Sequence, residues 1–525
     1  MSCGDIPDGL ATEEQGEALM PRRVKVQRFD KSKCQKCRTS KSMYIIRNVT
    51  YCKSCFESSL FTRLQRTLHP AMRSTTLTPS EMKNKSLASI GGNRPLPQDG
   101  SVLIGLSGGS SSIALTDILV SKEYIGKGDK RVVDRTKGEK QPVWNKGYII
   151  HVDFSDVIEG SNKEEDRSGV LKNWIEDKEH GLGWIGLKGQ DVYDVNLRNK
   201  IRRIIGIPEL DDGEEKESLA IDLKNPDLPL FPDAPSSSSS TPLDRLRSIL
   251  STLPAASRPS FLSSILDSLT TTTSQIIPDL SHVLLAETST RQAQRLISGT
   301  ALGKGYTLPL DLSVIHKSSA PNGRDIIRLK PTKDISLKEV TIYTHLKGLN
   351  GLVRNARNWD NAGPQNRKGD SRGKGNTRSL ESLTEQFIAS LAVTHPATVS
   401  TINRTGDKLR FTGEKKESQV ECPVCQLPVD PNALEWKSRT ALTSLPTKAL
   451  PSKDISTDGE GRESLATMLC YACLTTFTPP TVVSKASRTE VVPVQLPYWV
   501  GGNVRDRRRE MKEEVKEFLI DQDDE

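Results

Sequence analysis

The stretch VLIGLSGGSSSIALTDILV, residues 102–120, decides the fold. Val102 to Leu106 is an apolar run suited to a buried parallel strand, and Ile113, Ala114, Leu115, Ile118 and Leu119 return at helical spacing. Ser107, Gly108, Gly109 and Ser110 lie between them and supply a strand-to-helix turn. Glycines let a backbone approach an anion closely, the first amides of a helix are unpaired, and hydroxyls add donors, so phosphate is the natural occupant of such a turn. The loop has neither the lysine of G-x-x-x-x-G-K-[ST] nor the spacing of G-x-G-x-x-G.

The same alternation continues outward from this stretch. GYIIHVDFS (147–155) reads as a second buried strand, 257–272 as a helix, and HVLLAETSTRQAQRLISGTALGKGYTLPLD (282–311) as strand, loop, helix and glycine-rich turn. DIIRLKPTKDISLKEVTIYTHL (325–346) predicts an extended arm and then a helix starting near Ser336, with Glu339 completing a capping box. Alternating β and α units predict an α/β fold with a doubly wound parallel sheet and its ligand at the carboxyl ends of the strands.

At 525 residues the chain exceeds the roughly 250–300 residues of a single core, so modules beyond the sheet are expected. The sequence divides into a flexible N-terminus (1–30), a cysteine-bearing module (31–75) and the α/β domain (98–348). After these come a basic flexible insertion (349–380) and a helical C-terminal region carrying cysteine pairs (381–525). Within the α/β domain, residues 208–245 include DDGEEKES and PDAPSSSSSTP and hold too little apolar content to pack, which predicts disorder. Apolar runs fall short of the ~20 residues of a bilayer span. The first twenty residues are acidic where a secretory signal would be basic and then apolar, so a soluble, cytoplasmic protein without membrane contact is expected.

Nine cysteines are present, eight of them in CxxC pairs: Cys34 with Cys37, Cys52 with Cys55, Cys422 with Cys425, and Cys470 with Cys473. In a reducing compartment such pairs hold metal more often than they form disulfides, and Zn²⁺ favours four thiolates. The first two pairs flank the short hairpin SMYIIRNVTYC and read as a zinc ribbon whose metal has a structural role. CPVC and CYAC are separated by 426–469; a looped-out single site is favoured over a redox pair, because Pro423 sits inside the first pair. Around the first set the charge is strongly one-sided. Residues 31–73 hold ten Lys or Arg against the single acid Glu57, a pattern that points to a polyanion partner. Lys36, Arg38, Lys41, Arg47, Lys53, Arg63 and Arg66 are the candidate phosphate contacts. Residues 352–378 add seven Lys or Arg against two Asp. His69, His151 and His282 stand alone and read as structural.

The SGGSSS loop resembles the pyrophosphate loop of the PP-loop ATPases. Taken together with the two cysteine sets, LLAETSTRQAQRLISGTALGKG, RLKPTKDIS and TVSTINRTGDKL (398–409), the chain resembles the cytoplasmic tRNA 2-thiolation protein 2 family. That resemblance implies an adenine-nucleotide hydrolase-like sheet, with Ser107, Gly108, Gly109 and Ser112 shaping a weak or vestigial site for ATP. It implies a heterodimer with a catalytic thiouridylase homologue, tRNA binding, and 2-thiolation of wobble uridine 34 (mcm5s2U) in cytoplasmic tRNAs for Lys, Glu and Gln. It also implies sulfur delivered by a thiocarboxylated ubiquitin-related modifier. Two departures from the active pattern point to a non-catalytic subunit: Ser111 stands where active loops carry Asp, and Thr288, Ser289 and Thr290 follow Glu287 where active relatives carry an acidic pair. No cysteine lies between Cys55 and Cys422, so the sheet domain has no sulfur nucleophile of its own. The rival readings are a stand-alone adenylating ligase or amidotransferase, and a zinc-dependent scaffold that binds no nucleotide.

Overall fold

The computed structural model describes residues 32–76, 98–126, 142–157, 166–177, 181–210, 218–225, 227–232, 240–254, 256–319, 324–354, 359, 379–411, 420–430, 432–440, 463–478 and 493–516. The chain divides into two compact units, Met1–Ser59 and Leu60–Glu525.

In the first unit, β1 (Tyr44–Ile46) and β2 (Val49–Tyr51) pair antiparallel with Ile46 opposite Val49, leaving Arg47 and Asn48 as a two-residue turn. Both turn residues have positive φ, 50° and 66°, the twist that matches a tight hairpin. Alternation along the strands buries Ile46 and exposes Met43 and Ile45, while Tyr44 packs on Phe56 with ring centroids 5.7 Å apart.

Helix α1 (Lys53–Thr76) begins in this unit and continues into the second. From Leu60 onward its side chains belong to the second core: Leu60, Leu64, Leu68 and Met72 are buried at helical spacing, and His69 Nε2 lies 2.6 Å from the Tyr124 hydroxyl. The module expected over 31–75 therefore ends near Ser59. The helix crosses that boundary because its later apolar residues need a larger core than a thiolate-stapled hairpin offers.

The second unit is mixed α/β, built on a six-stranded sheet of order β5-β4-β3-β8-β10-β9. Its strands are β3 (Gln98–Gly105), β4 (Trp144–Asp153), β5 (Leu182–Lys188), β8 (Leu280–Leu284), β9 (Ile315–Ser319) and β10 (Asp325–Leu329). All pairings are parallel except that of the edge strand β9 with β10. Leu103 sits between Tyr148 of β4 and Val283 of β8, so β3 is the strand from which the order runs both ways. Helices α2 (Ser110–Ser121), α3 (Ser168–Asp177), α4 (Leu197–Ile205), α5 (Pro242–Thr252), α6 (Arg258–Ile276), α7 (Ser289–Ala301) and α8 (Leu308–Leu312) connect or cover the strands. Helix α9 (Leu337–Leu346) opens with the expected capping box: the Ser336 hydroxyl accepts from the Glu339 amide, and the Glu339 carboxylate accepts from Ser336 N at 2.8 Å. Helices α10 (Leu380–Thr394) and α11 (Pro396–Gly406) pack on α7 through Ala293, Ile388 and Val399.

Two expectations are corrected here. Residues 208–245 are not uniformly without structure: β6 (Leu219–Ile221) and β7 (Leu230–Pro232) pair antiparallel, and β11 (Val494–Gln495) adds to β6 from the far end of the chain. Leu219, Ala220, Ile221, Leu228 and Leu230 are buried, enough apolar surface to order a short meander inside a polar composition. Nor is the C-terminal region a core of its own. Helices α12 (Ala433–Thr440), α13 (Tyr471–Phe477) and α14 (Tyr498–Lys516) follow in chain order. Cys422, Leu469, Leu474, Phe477, Val500 and Val504 share one hydrophobic cluster with Leu103 and Val283 of the sheet. The N-terminus, most of the basic insertion, and Phe518 and Leu519 lie outside the described residues, as does the side chain of Val515.

The three histidines are held inside the fold. His151 Nδ1 is 2.7 Å from the Leu106 carbonyl, and the Trp144 indole donates to His282 Nδ1 at 3.2 Å. Burial pushes the His282 pKa down to about 4. Because the unfolded imidazole takes its proton near pH 6.5 and the folded one does not, stability is full above that pH and falls as the pH drops toward 4, by up to about 1.4 kcal/mol per pH unit. Urea titrations across pH 4–7 should show this slope, and His282→Gln should flatten it.

Candidate functional site

In a doubly wound sheet the ligand crevice lies where neighbouring strands send their connections in opposite directions, here beyond the carboxyl ends of β3 and β8. The SGGSSS loop follows β3 at that place. Gly108 has φ +80° and Gly109, with φ −77°, is the N-cap of α2, so the sequence-predicted strand-to-helix turn is present. A side chain at Gly108 would meet Leu171 and Arg354 only at ordinary contact distance, so backbone conformation is what requires glycine there.

The loop satisfies much of its own polarity. Ser107 Oγ lies 3.3 Å from Ser112 Oγ and accepts from the Gly109 amide at 3.4 Å, while Ser112 Oγ donates to the Gly109 carbonyl at 3.0 Å. The Arg354 amide donates to the Gly108 carbonyl at 2.8 Å, drawing the segment after α9 over the turn. Ser107, Gly108, Gly109 and Ser112 are thus brought together as expected, as a loop whose shape is fixed by its own hydroxyls. Ser111 is half-buried in the first turn of α2 and brings no acid to the loop.

Beyond the end of β8 the structure holds a feature that sequence reasoning missed. Glu287, Arg295, Asp311 and Lys330 converge: Arg295 reaches Glu287 at 3.1 Å and Asp311 at 2.5 Å, and Lys330 reaches Glu287 at 3.0 Å and Asp311 at 3.9 Å. Gln292 donates to Glu287 at 2.7 Å, and the Thr332 hydroxyl donates to the Glu287 carbonyl at 3.0 Å. Burial works against ionisation of both acids, but Arg295 and Lys330 outweigh it and hold Glu287 below its usual range and Asp311 at about 2. Glu287, just beyond the end of β8, is therefore already neutralised by two side-chain cations. Lys330 lies in the RLKPTKDIS arm and Arg295 at helical spacing from Glu287, but nothing in the sequence says that they meet.

Both cysteine sets close into clusters, Cys34, Cys37, Cys52 and Cys55 in the first unit and Cys422, Cys425, Cys470 and Cys473 in the second, with all sulfurs of each set within 4.8 Å of one another. A tetrahedral ion with ~2.3 Å bonds to sulfur sets its ligands about 3.8 Å apart. Cys37 and Cys52 are 3.9 Å apart, and Cys425 and Cys470 are 3.7 Å apart, so a single metal ion fits each centre. A four-iron cluster gives each thiolate its own iron and needs a wider cage.

The two centres share one plan. In the first pair of each, the residue after the second cysteine has positive φ (Arg38 at 60°, Gln426 at 57°) and its amide donates back to the first cysteine's carbonyl, at 2.7 and 2.8 Å. In the second pair of each the cysteines open a helix, with Phe56 N donating to Cys52 O and Leu474 N to Cys470 O. Hydrogen bonds from the Thr39 hydroxyl and from the Ser40 and Thr39 amides lower the Cys37 thiol to about 5, while burial pushes Cys55 up to about 12, so loading a metal at this centre would release protons. The second centre is fitted to the sheet unit by Tyr471, whose ring lies over Gly303 (φ +78°) at the end of α7, where any side chain would collide with it.

Of the phosphate-contact candidates, Lys36, Arg38, Lys41, Arg47, Lys53 and Arg66 are exposed. Arg63 is corrected: it pairs with Glu339, whose side chain is 1% exposed, and so serves the core of the second unit.

These features define an α/β protein with a glycine-serine turn at the carboxyl edge of a parallel sheet and two four-cysteine clusters that could each hold a metal ion. Residues 379–475 match the family described as Cytoplasmic tRNA 2-thiolation protein 2. Proteins of that name in Drosophila persimilis (32% identical over 202 residues, 37% of this chain and 45% of that protein) and Danio rerio (25% over 287 residues, 46% and 50%) are similar to it. So is protein 2-A of Xenopus laevis (28% over 276 residues, 46% and 49%). The chain spans about half the length of the curated relatives it matches. Among solved structures, the U34-tRNA thiolase NcsA from Methanococcus maripaludis with its [4Fe-4S] cluster aligns with a TM-score of 0.39 and 16% identity, covering 75% of this chain and 95% of that one.

Removing one member of a buried ion network leaves its partners uncompensated, at a cost of about 3–5 kcal/mol. Lys330→Met should therefore lower the melting temperature strongly, and Glu287→Gln in the same chain should restore part of the loss. Both acids have depressed pKa values, so the network's contribution is full above about pH 4 and is lost as the pH falls toward 2. Thermal melts of the single and double variants at pH 7 and pH 3 check both statements.

Proposed function

We propose that this chain is the non-catalytic subunit of a tRNA thiolation assembly acting on wobble uridine 34. In this reading the second unit is a PP-loop-like domain whose loop keeps its shape for a weakly held or absent adenine nucleotide. The exposed Lys36, Arg38, Lys41, Arg47, Lys53 and Arg66 hold tRNA phosphates in the cytoplasm, positioning the RNA without reading its sequence. The reactive sulfur comes from a catalytic homologue in a heterodimer, supplied by a thiocarboxylated ubiquitin-related modifier. Zinc is the ion assigned to both cysteine centres, where it orders the chain and takes no part in the reaction.

The observation that carries this reading is the cysteine inventory. Eight of nine cysteines fall into two closed four-thiolate clusters, and none lies between Cys55 and Cys422, so no sulfur is free in the sheet to attack an activated uridine. The pairing of Glu287 with Lys330 and Arg295 agrees with it, since that carboxylate is not available to organise Mg²⁺ beside a nucleotide.

Two measurements test the reading. Formation of 2-thiouridine on a wobble-uridine tRNA should require both this chain and its catalytic homologue; product from this chain alone overturns the subunit assignment. Lys36→Glu, Arg38→Glu and Lys53→Glu together should weaken tRNA binding at least about tenfold and reduce the salt slope by about 2–3, as expected for three lost phosphate contacts. Unchanged affinity overturns the docking surface.

A further inference from the structure

The last helix, α14, bears on the second cysteine centre through three polar side chains spaced four residues apart, and so on one face. The Trp499 indole donates to the Val424 carbonyl at 3.2 Å, the Asn503 amide to the Pro423 carbonyl at 2.9 Å, and the Arg507 guanidinium to the Met468 carbonyl at 2.5 Å. Pro423 and Val424 are the two residues inside the CPVC pair, and Met468 lies two residues before Cys470. Backbone carbonyls on both ligand-bearing arms are thus gripped by one rigid element. A divalent ion among four thiolates leaves the centre net negative, and the Arg507 guanidinium, held on the Met468 carbonyl, brings a cation to that arm.

The adjoining face of the helix is anchored by apolar packing. Val500 and Val504 are fully buried in the main core, and β11, just before the helix, pairs with β6. The helix therefore ties the cysteine centre to the sheet unit through contacts additional to the packing of the cysteines themselves.

We propose that Trp499, Asn503 and Arg507 are the positioning residues of the second cysteine centre, so that metal retention there and docking of the C-terminal helix are one linked equilibrium. This rests on the reading that the centre holds a metal. Partners that orient the ligands of a metal site set its affinity 10–100-fold, and whatever ligand binding does to the helix the helix must do to ligand binding.

The test uses the full chain loaded with zinc. Release to 4-(2-pyridylazo)resorcinol is followed for wild type, Trp499→Phe, Asn503→Ala and Val504→Ala, the last loosening the same helix while leaving its hydrogen bonds to the Pro423, Val424 and Met468 carbonyls in place. Trp499→Phe and Asn503→Ala should speed release of one of the two zinc equivalents about 10-fold or more and leave the other unchanged. In wild type, stripping the metal should raise hydrogen exchange across 498–513 while the amides of β3 and β8 stay protected. Release rates unaltered in both polar variants, or matched by Val504→Ala at equal loss of stability, overturn the proposal. Cys422→Ser with Cys470→Ser removing no zinc overturns the metal reading itself, a different outcome from an occupied centre indifferent to the helix.

Discussion

Charges brought below a protein surface must be neutralised there, and much of the second unit is arranged around one such requirement. Glu287, Arg295, Asp311 and Lys330 come from the loop after β8, from α7, from α8 and from the end of β10. No two of these elements could shift apart without leaving a partly buried ion short of its partner, so the network fixes their mutual spacing. It also fixes the loop from Leu285 to Thr290, which is bonded at several points to the arm from Leu329 to Leu337. The same economy leaves Glu287 without a free charge at the carboxyl edge of the sheet. A parallel sheet places its polar loops on one edge, and there the Glu287 charge is matched by Arg295 and Lys330.

The two cysteine centres meet a different requirement with a repeated solution. Each joins a tight backward-bonded turn to the first turn of a helix, and each uses a residue other than glycine at the positive-φ position that closes the turn. In the first unit this orders a hairpin too small to fold on its apolar residues alone. In the second it links two pairs separated by a long insertion, for which loop closure grows only slowly with length. The surroundings differ accordingly: the first centre sits beside exposed basic residues, whereas the second is buried in the same cluster as the sheet.

What could be read from the sequence was local. The strand, glycine turn and helix around Ser107, the capping box of Ser336 and Glu339, and the pairing of cysteines all depend on residues a few positions apart, where spacing determines geometry. What could not be read was pairing at a distance. Arg63 looks like one more surface cation until Glu339 arrives beside it, and Lys330 carries no mark of the two acids it meets. The strands β6, β7 and β11 are two or three residues long, too short for a period-two signal, and β11 reaches β6 from the opposite end of the chain. Composition alone made their neighbourhood look unable to pack, because the few buried leucines lie among acidic and serine-rich stretches.

The contact between Gly303 and Tyr471 carries a consequence for heredity. A single added methyl on the turn after α7 would strike the aromatic ring held between Cys470 and Cys473, in a backbone conformation that L side chains already resist. A random screen for loss of the second thiolate cluster would then recover codon 303 beside those of the cysteines, although that turn contains no sulfur.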